Sequence, residues 1–169
     1  MWFTGLPCSG KTTIADRVAE KLRDQGHRVE RLDGDIVRKS LTSDLGFSKE
    51  DRDENIKRVT FVAKLLTRNG VKVLATFVSP YRERRSKSRE EIGEFMEVYV
   101  RCSVEECMKR DVKGMYRKAM AGEITGFTGV DDPYEEPQNP ELVLDTDEET
   151  VEESVDRVLE KMESLGYLE

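Results

Sequence analysis

The chain has no apolar run approaching the length of a membrane span and no leader-like segment at its start, so spanning and secreted proteins are set aside and a cytoplasmic setting is expected. Cysteine is scarce. Cys8, Cys102 and Cys107 are odd in number and contain no C-x-x-C pair, which points away from a zinc site and from a disulfide framework. Histidine occurs once, as His27 behind Gly26, and reads as a surface residue rather than a ligand. Basic residues are outnumbered, 28 Lys and Arg against 35 Asp and Glu for a net charge of -7, which argues against a nucleic-acid groove over much of the surface. Anionic ligands would then be captured by local basic clusters. Repeats, low-complexity tracts and linkers are missing too, so the 169 residues are expected to form one domain, 1–169, with a core of its own.

What is present begins early. Gly5-Leu6-Pro7-Cys8-Ser9-Gly10-Lys11-Thr12 fits G-x-x-x-x-G-K-[ST], a loop whose glycines let successive backbone N–H groups turn inward on a polyphosphate. Lys11 adds a point charge for the β and γ phosphates, and the Thr12 hydroxyl is placed to ligate Mg²⁺. Trp2-Phe3-Thr4 reads as a strand before the loop, and the residues from Thr13 carry apolar side chains at helical spacing after it. Binding of a nucleoside triphosphate through residues 5–13 follows from that context.

Beyond Gly26, which stops the first helix, Val29 to Leu32 reads as a short strand ending in Asp33-Gly34-Asp35, carboxylates at the strand edge where open α/β sheets take ligands. Asp35 and Arg38 would share a face if Ile36 begins a helix. Ser48 caps a long amphipathic helix to about Asn69 with Arg52 and Asn55 near its start, and Val71 to Val78 has the β-branched, nearly continuous apolar character of a strand buried on both faces. Ser79-Pro80-Tyr81-Arg82 follows, then a basic helix with Arg84, Arg85, Lys87 and Arg89, mostly expected at the surface, with Arg82 the best placed for site work. A strand over Phe95–Val100, a capping-box start at Ser103, a last strand at Leu142–Asp145 and an amphipathic helix over Val151–Leu165 complete the pattern. The stretch 111–140 loses periodicity and reads as a mobile lid. Alternation of strands and helices implies an α/β fold of the P-loop type, a three-layer sandwich around a parallel sheet of about five strands.

No N-K-x-D segment is available to read guanine, and the chain is short for a motor. The strand before Ser79 also lacks a terminal aspartate, so Mg²⁺ would rest on Thr12, water and a carboxylate from Asp33 or Asp35. These features favour a small kinase.

Several further stretches resemble the adenylylsulfate kinases, which phosphorylate the ribose 3′-hydroxyl of adenosine 5′-phosphosulfate with MgATP in sulfate assimilation. They are Leu32-Asp33-Gly34-Asp35, Asp44-Leu45-Gly46-Phe47-Ser48, Asp51-Arg52-Asp53-Glu54-Asn55, Ser79-Pro80-Tyr81-Arg82, Arg110 to Tyr116 and Phe127 to Glu135, in that family's order over nearly the whole chain. The resemblance implies that Asp35 is a general base or metal-organising carboxylate, so that Thr12 and Asp35 serve the metal and Asp35, Lys11 and Ser79 the chemistry. It places Arg38, Arg52 and Asn55 on the phosphosulfate, Phe47 and Phe127 on the two faces of adenine, and Asp33, Val78, Ser79 and Lys113 in the acceptor site, with Arg110 on the ATP side. Ser79 matches a serine often written as a phosphoserine intermediate, but direct transfer with the serine only hydrogen-bonding is the reading favoured here, because no base adjoins it in sequence. A homodimer is also implied. The loop departs from the family's usual G-L-S-G-[AS]-G-K at Pro7-Cys8, and the short stretch before it leads us to expect little inhibition by excess adenylylsulfate. The remaining alternatives are another small-molecule P-loop phosphotransferase, acting on a sugar acid, an antibiotic or a polynucleotide end, and a silent nucleotide-binding module.

Overall fold

The computed structural model describes residues 1–168. Five parallel strands, β1 (Trp2–Thr4), β2 (Val29–Asp33), β3 (Lys72–Thr76), β4 (Glu97–Arg101) and β5 (Leu142–Asp145), form one sheet in the order β2-β3-β1-β4-β5. The strand that feeds the phosphate loop is thus the middle one, and both neighbours are paired along it, Trp2 opposite Ala75 on one side and Glu97 on the other. Crossovers on both sides of the starting strand leave a crevice at its carboxyl end, where ligands of open α/β sheets bind.

Helix α1 (Lys11–Asp24) and helix α7 (Val151–Ser164) cover one face. Ile14, Ala15, Val18 and Leu22 of α1 and Val155, Val158 and Met162 of α7 meet Phe3, Leu74, Val98, Val100 and Leu144 of the sheet. The other face takes α3 (Lys49–Thr67) and α4 (Arg82–Ile92), where Ile56 and Val59 pack on Trp2, Ala75, Phe77 and Phe95. Alternation of side chains along each strand assigns these two sets to opposite faces. Three shorter helices, α2 (Gly34–Val37), α5 (Val104–Arg110) and α6 (Met115–Met120), lie at the carboxyl edge of the sheet or in the segment after it.

Several boundaries depart from the sequence pattern for identifiable reasons. The apolar run 71–78 yields a strand only over Lys72–Thr76, because Ser79 adopts φ +40 and turns the chain out of the ladder. Ladder pairing in β4 starts at Glu97, although Phe95 and Met96 are buried and Met96 still accepts a bond from the Trp2 amide. At α5 only half of a capping box forms. Ser103 Oγ accepts the Glu106 N–H, while the Glu106 carboxylate turns to Arg110 and Lys109. The irregular stretch 111–140 contains α6, six residues too short to show a period, whose first turn is capped by Asp111 through the N–H groups of Tyr116 and Arg117.

Gly5 joins β1 to the phosphate loop at φ +152, and a Cβ there would stand 2.4 Å from the Val100 carbonyl oxygen. Both objects are backbone of the central sheet, so neither can yield cheaply. Gly5→Ala is expected to destabilise the fold by about 2–4 kcal/mol, from overpacking and strain together. Gly26→Ala, at φ +88 in open space, isolates the conformational part at about 1 kcal/mol. Urea midpoints of the two variants check this, and equal shifts would remove the steric argument.

Candidate active site

The loop between β1 and α1 curls around its own lysine. Lys11 Nζ donates to the carbonyls of Gly5 (2.9 Å) and Leu6 (2.6 Å) and to Ser9 Oγ (3.4 Å), and the side chain is buried. The curl is a tight turn in which the Ser9 N–H reaches the Leu6 carbonyl, with Pro7 second and Cys8 third at φ +64. Proline suits the second position of a type II turn, but the third favours glycine, so Cys8 carries strain. Gly10 opens α1 at φ +102. Two outside contacts hold the curl: Tyr116 of α6 donates to the Pro7 carbonyl (2.9 Å), and Thr146, just past β5, donates to that of Ser9 (2.8 Å).

Thr12 and Thr13 are exposed on the first turn of α1. The Thr12 hydroxyl donates to Asp33 Oδ2 at 2.8 Å, and Thr76 donates to the same oxygen at 2.8 Å, while Asp33 Oδ1 accepts the Asp35 N–H. Burial works against ionisation of Asp33, yet the bonds from Thr76, Thr12 and the Asp35 backbone outweigh it and hold the carboxyl below its ordinary range. Asp35, two residues on, is exposed and pairs with Lys113 from the segment before α6. The two carboxylates of Asp33-Gly34-Asp35 therefore part company, one to Thr12 and one to Lys113.

Among the described residues, no group of three or more His, Cys, Asp or Glu side chains could hold a metal alone. A threonine hydroxyl beside one ionised carboxylate fits a cation that takes most of its ligands from phosphate and water, which is how Mg²⁺ is usually bound.

The other predicted residues collect across the crevice. Arg52, near the start of α3, donates through Nε to the Phe47 carbonyl (2.9 Å), through Nη1 to Thr128 Oγ1 (3.0 Å) and Asp132 (2.7 Å), and through Nη2 to the Gly126 carbonyl. One guanidinium thus fastens the loop carrying Phe47 to the loop carrying Phe127. Phe47 is 69% exposed with the Arg38 guanidinium 4.2 Å above its ring, and Phe127 is half-buried, edge-on to Tyr116 at 4.9 Å. Arg38 donates to the Gly46 carbonyl, and burial, then the nearby charge of Arg52, push its pKa down against the pull of Asp51. Arg52 is ion-paired with Asp132, so of these two cations Arg38 is the one without a carboxylate partner among the described residues. Asn55 is buried and accepts from Thr42 at 2.7 Å.

Val78 and Ser79 close the floor. The Val78 carbonyl accepts from Thr4, and the buried Ser79 hydroxyl accepts from the Trp2 indole N–H (3.0 Å) and lies 3.3 Å from the Phe77 carbonyl. Arg110 stands away from this group, donating to the Thr146 carbonyl at 2.6 Å beside the phosphate loop. Tyr116 and Thr146, given no role of their own in the sequence reading, fasten the phosphate loop, and Trp2 fastens the Ser79 hydroxyl. Arg85, one of a basic run expected mostly at the surface, is buried and donates to the Ser79 carbonyl.

A family model described as Adenylylsulphate kinase matches residues 1–145. An adenylyl-sulfate kinase of Halothermothrix orenii is 61% identical over 168 residues, 99% of this chain and 91% of the relative. Among solved structures, an APS kinase of Mycobacterium tuberculosis in complex with AMPPNP and APS is 43% identical, with a TM-score of 0.92 over 96% of this chain and 95% of that one. A hexameric APS kinase of Thiobacillus denitrificans is 36% identical, with a TM-score of 0.75 over 99% of this chain and 29% of that one.

Burial lowers the pKa of Lys11 to about 8. Phosphate oxygens bind the charged ammonium and would raise that pKa again, so raising the pH through about 8 should weaken triphosphate binding, and binding near that pH should take up a proton. Titration calorimetry in two buffers of different ionisation enthalpy measures the uptake. Lys11→Met should abolish it and weaken binding by roughly tenfold to a hundredfold, the loss of a charge-assisted contact. Equal heats in both buffers would show that Lys11 does not titrate on binding.

Proposed function

This chain belongs to the adenylylsulphate kinase family, and from that membership we propose that it transfers the γ-phosphoryl group of ATP to the 3′-hydroxyl of adenosine 5′-phosphosulfate, releasing 3′-phosphoadenylylsulfate and ADP. The observation that carries the substrate assignment is the fastening of the Phe47 and Phe127 loops by Arg52, which sets two aromatic side chains and a pair of guanidiniums on one side of the crevice and the phosphate loop on the other. Aromatic faces suit a purine, and paired cations suit a phosphosulfate. A sugar acid would need neither ring.

The proposed division of labour follows the surroundings of each group. The backbone of residues 5–10 and Lys11 receive the triphosphate, with Thr13 beside it and Arg110 on the nucleotide side. Thr12 with Asp33, and Asp35 nearby, would hold Mg²⁺, which when bound neutralises charge between the β and γ phosphates. Asp35 is exposed at the crevice and free to orient the ribose hydroxyl and accept its proton as the oxygen attacks the γ phosphorus and the bond to the β-phosphate oxygen breaks. Lys113, the ion-pair partner of Asp35, would follow the transferred charge. Arg38, whose guanidinium lies over Phe47, meets the phosphosulfate, while Arg52 acts first by holding the loops and Asn55 by supporting them. The Ser79 hydroxyl, buried under the Trp2 indole, supports a hydrogen-bonding role in direct transfer rather than a covalent relay. No helix among the described residues is long and apolar enough to cross a membrane, and a cytoplasmic homodimer completes the proposal.

ADP release with MgATP tests the reading, with adenylylsulfate, gluconate and a polynucleotide 5′-end offered as acceptors. Turnover is expected with adenylylsulfate alone and should fall by about 10² to 10⁴ in Asp35→Ala, the range for loss of a general base. Equal turnover with gluconate would transfer the protein to the wider class of small phosphotransferases.

A further inference from the structure

Arg85 carries the most deeply buried charge among the described residues, 2% exposed, and the phosphoryl-transfer scheme gives it no task. Its donors reach three separate parts of the chain. Nε binds Glu97 Oε1 at the start of β4 (2.8 Å), Nη1 the Ser79 carbonyl (2.6 Å) and Nη2 the Glu135 carbonyl (2.6 Å), and the guanidinium lies 5.7 Å from the centre of the Tyr134 ring. A residue kept only to neutralise Glu97 would need the first of these bonds. The other two join the Ser79 turn to the segment by which the lid returns to the sheet.

That junction is a strained one. Ser79 and Cys8 are the two non-glycine residues at positive φ among those described, and both border the crevice. Around Ser79, Trp2 fixes the hydroxyl, Arg85 the carbonyl, and the Glu135 N–H binds the next carbonyl, Pro80, at 2.9 Å. Arg82 repeats the pattern from outside, donating to the Glu136 carbonyl, and Tyr134 bonds Thr4 of the central strand at 2.8 Å. The planar fork holds its donors in fixed, separate directions and so reaches three partners on different sides of the guanidinium, a spread that a compact lysine ammonium on the same stem does not match.

We propose that Arg85 is a positioning residue for the acceptor: it clamps the strained Ser79 turn to the lid's return segment at Glu135 and so fixes where the Ser79 hydroxyl stands. The proposal rests on the reading of Ser79 as an acceptor-site residue.

Arg85→Lys tests it, beside Ser79→Ala and the double variant, with rates measured against each substrate in turn and folding followed by thermal midpoint. Should Arg85→Lys fail to fold, Arg85→Gln combined with Glu97→Gln removes both buried charges together and is read in the same way. We expect kcat/KM for adenylylsulfate to fall by about tenfold to a hundredfold, the scale of a misplaced contact, with the KM for ATP little changed. Added to Ser79→Ala, the Arg85 substitution should bring no further loss, since it acts through the same group. Unchanged acceptor kinetics in a folded Arg85 variant, parallel loss for both substrates, or fully additive losses with Ser79→Ala would each overturn the proposal. Wild-type kinetics in Ser79→Ala alone would instead sink the acceptor-site reading of Ser79, and the proposal with it.

Discussion

Lys11 carries its charge into the interior and is met there by carbonyl oxygens and one hydroxyl rather than by a carboxylate. Carbonyl dipoles can hold an ammonium only if the chain bends until several of them point inward. The bend forces the conformations around it: Gly5 pressed against Val100, Cys8 at positive φ, Gly10 opening α1 left-handed. Glycine takes its two conformations at little cost, whereas Cys8 is strained and persists because the surroundings fix the curl, through Tyr116 at Pro7 and Thr146 at Ser9. The same burial that lowers the Lys11 pKa makes a polyphosphate an effective counter-ion for it, since the anion meets a charge that water screens poorly.

What could be read from the sequence was what local chemistry determines. The strand, loop and helix around Gly5–Thr12, the cap at Ser48 and the amphipathic helix after Glu149 each depend on neighbours within a few residues, and each is present. Arg85 shows where such reading stops. Its helix is so rich in charge that a solvated face was the natural expectation, and the partners that bury it lie 6, 12 and 50 residues away along the chain, across three separate elements. The fixings of the loop fail for the same reason, since Tyr116 acts on a carbonyl 109 residues distant. Helix α6 escaped because its cap, Asp111, sits outside the helix and its length is below one period of reliable pattern.

Family resemblance alone separated the two aspartates of Asp33-Gly34-Asp35, giving Asp35 the chemistry and Asp33 a place in the acceptor site, while residue chemistry left either one open as a metal ligand. Their environments separate them. Asp33 is buried and saturated by two hydroxyls and an amide, so its charge is fixed and its geometry rigid, the properties wanted beside a cation. Asp35 is solvent-facing and held only by Lys113, whose long side chain can move away. Such freedom suits the proton-accepting role proposed for it. The functional assignments therefore divide along burial rather than along sequence position.

The segment 111–140 is pinned at both ends of the crevice. At one end Tyr116 holds Pro7 of the phosphate loop; at the other Arg52 holds Gly126, Thr128 and Asp132, with Arg85 and Arg82 tying down the return segment. Between them Lys113 reaches Asp35. Tyr116 joins the two ends, since its hydroxyl donates to the Pro7 carbonyl of the phosphate loop while its ring packs edge-on against Phe127 on the far side.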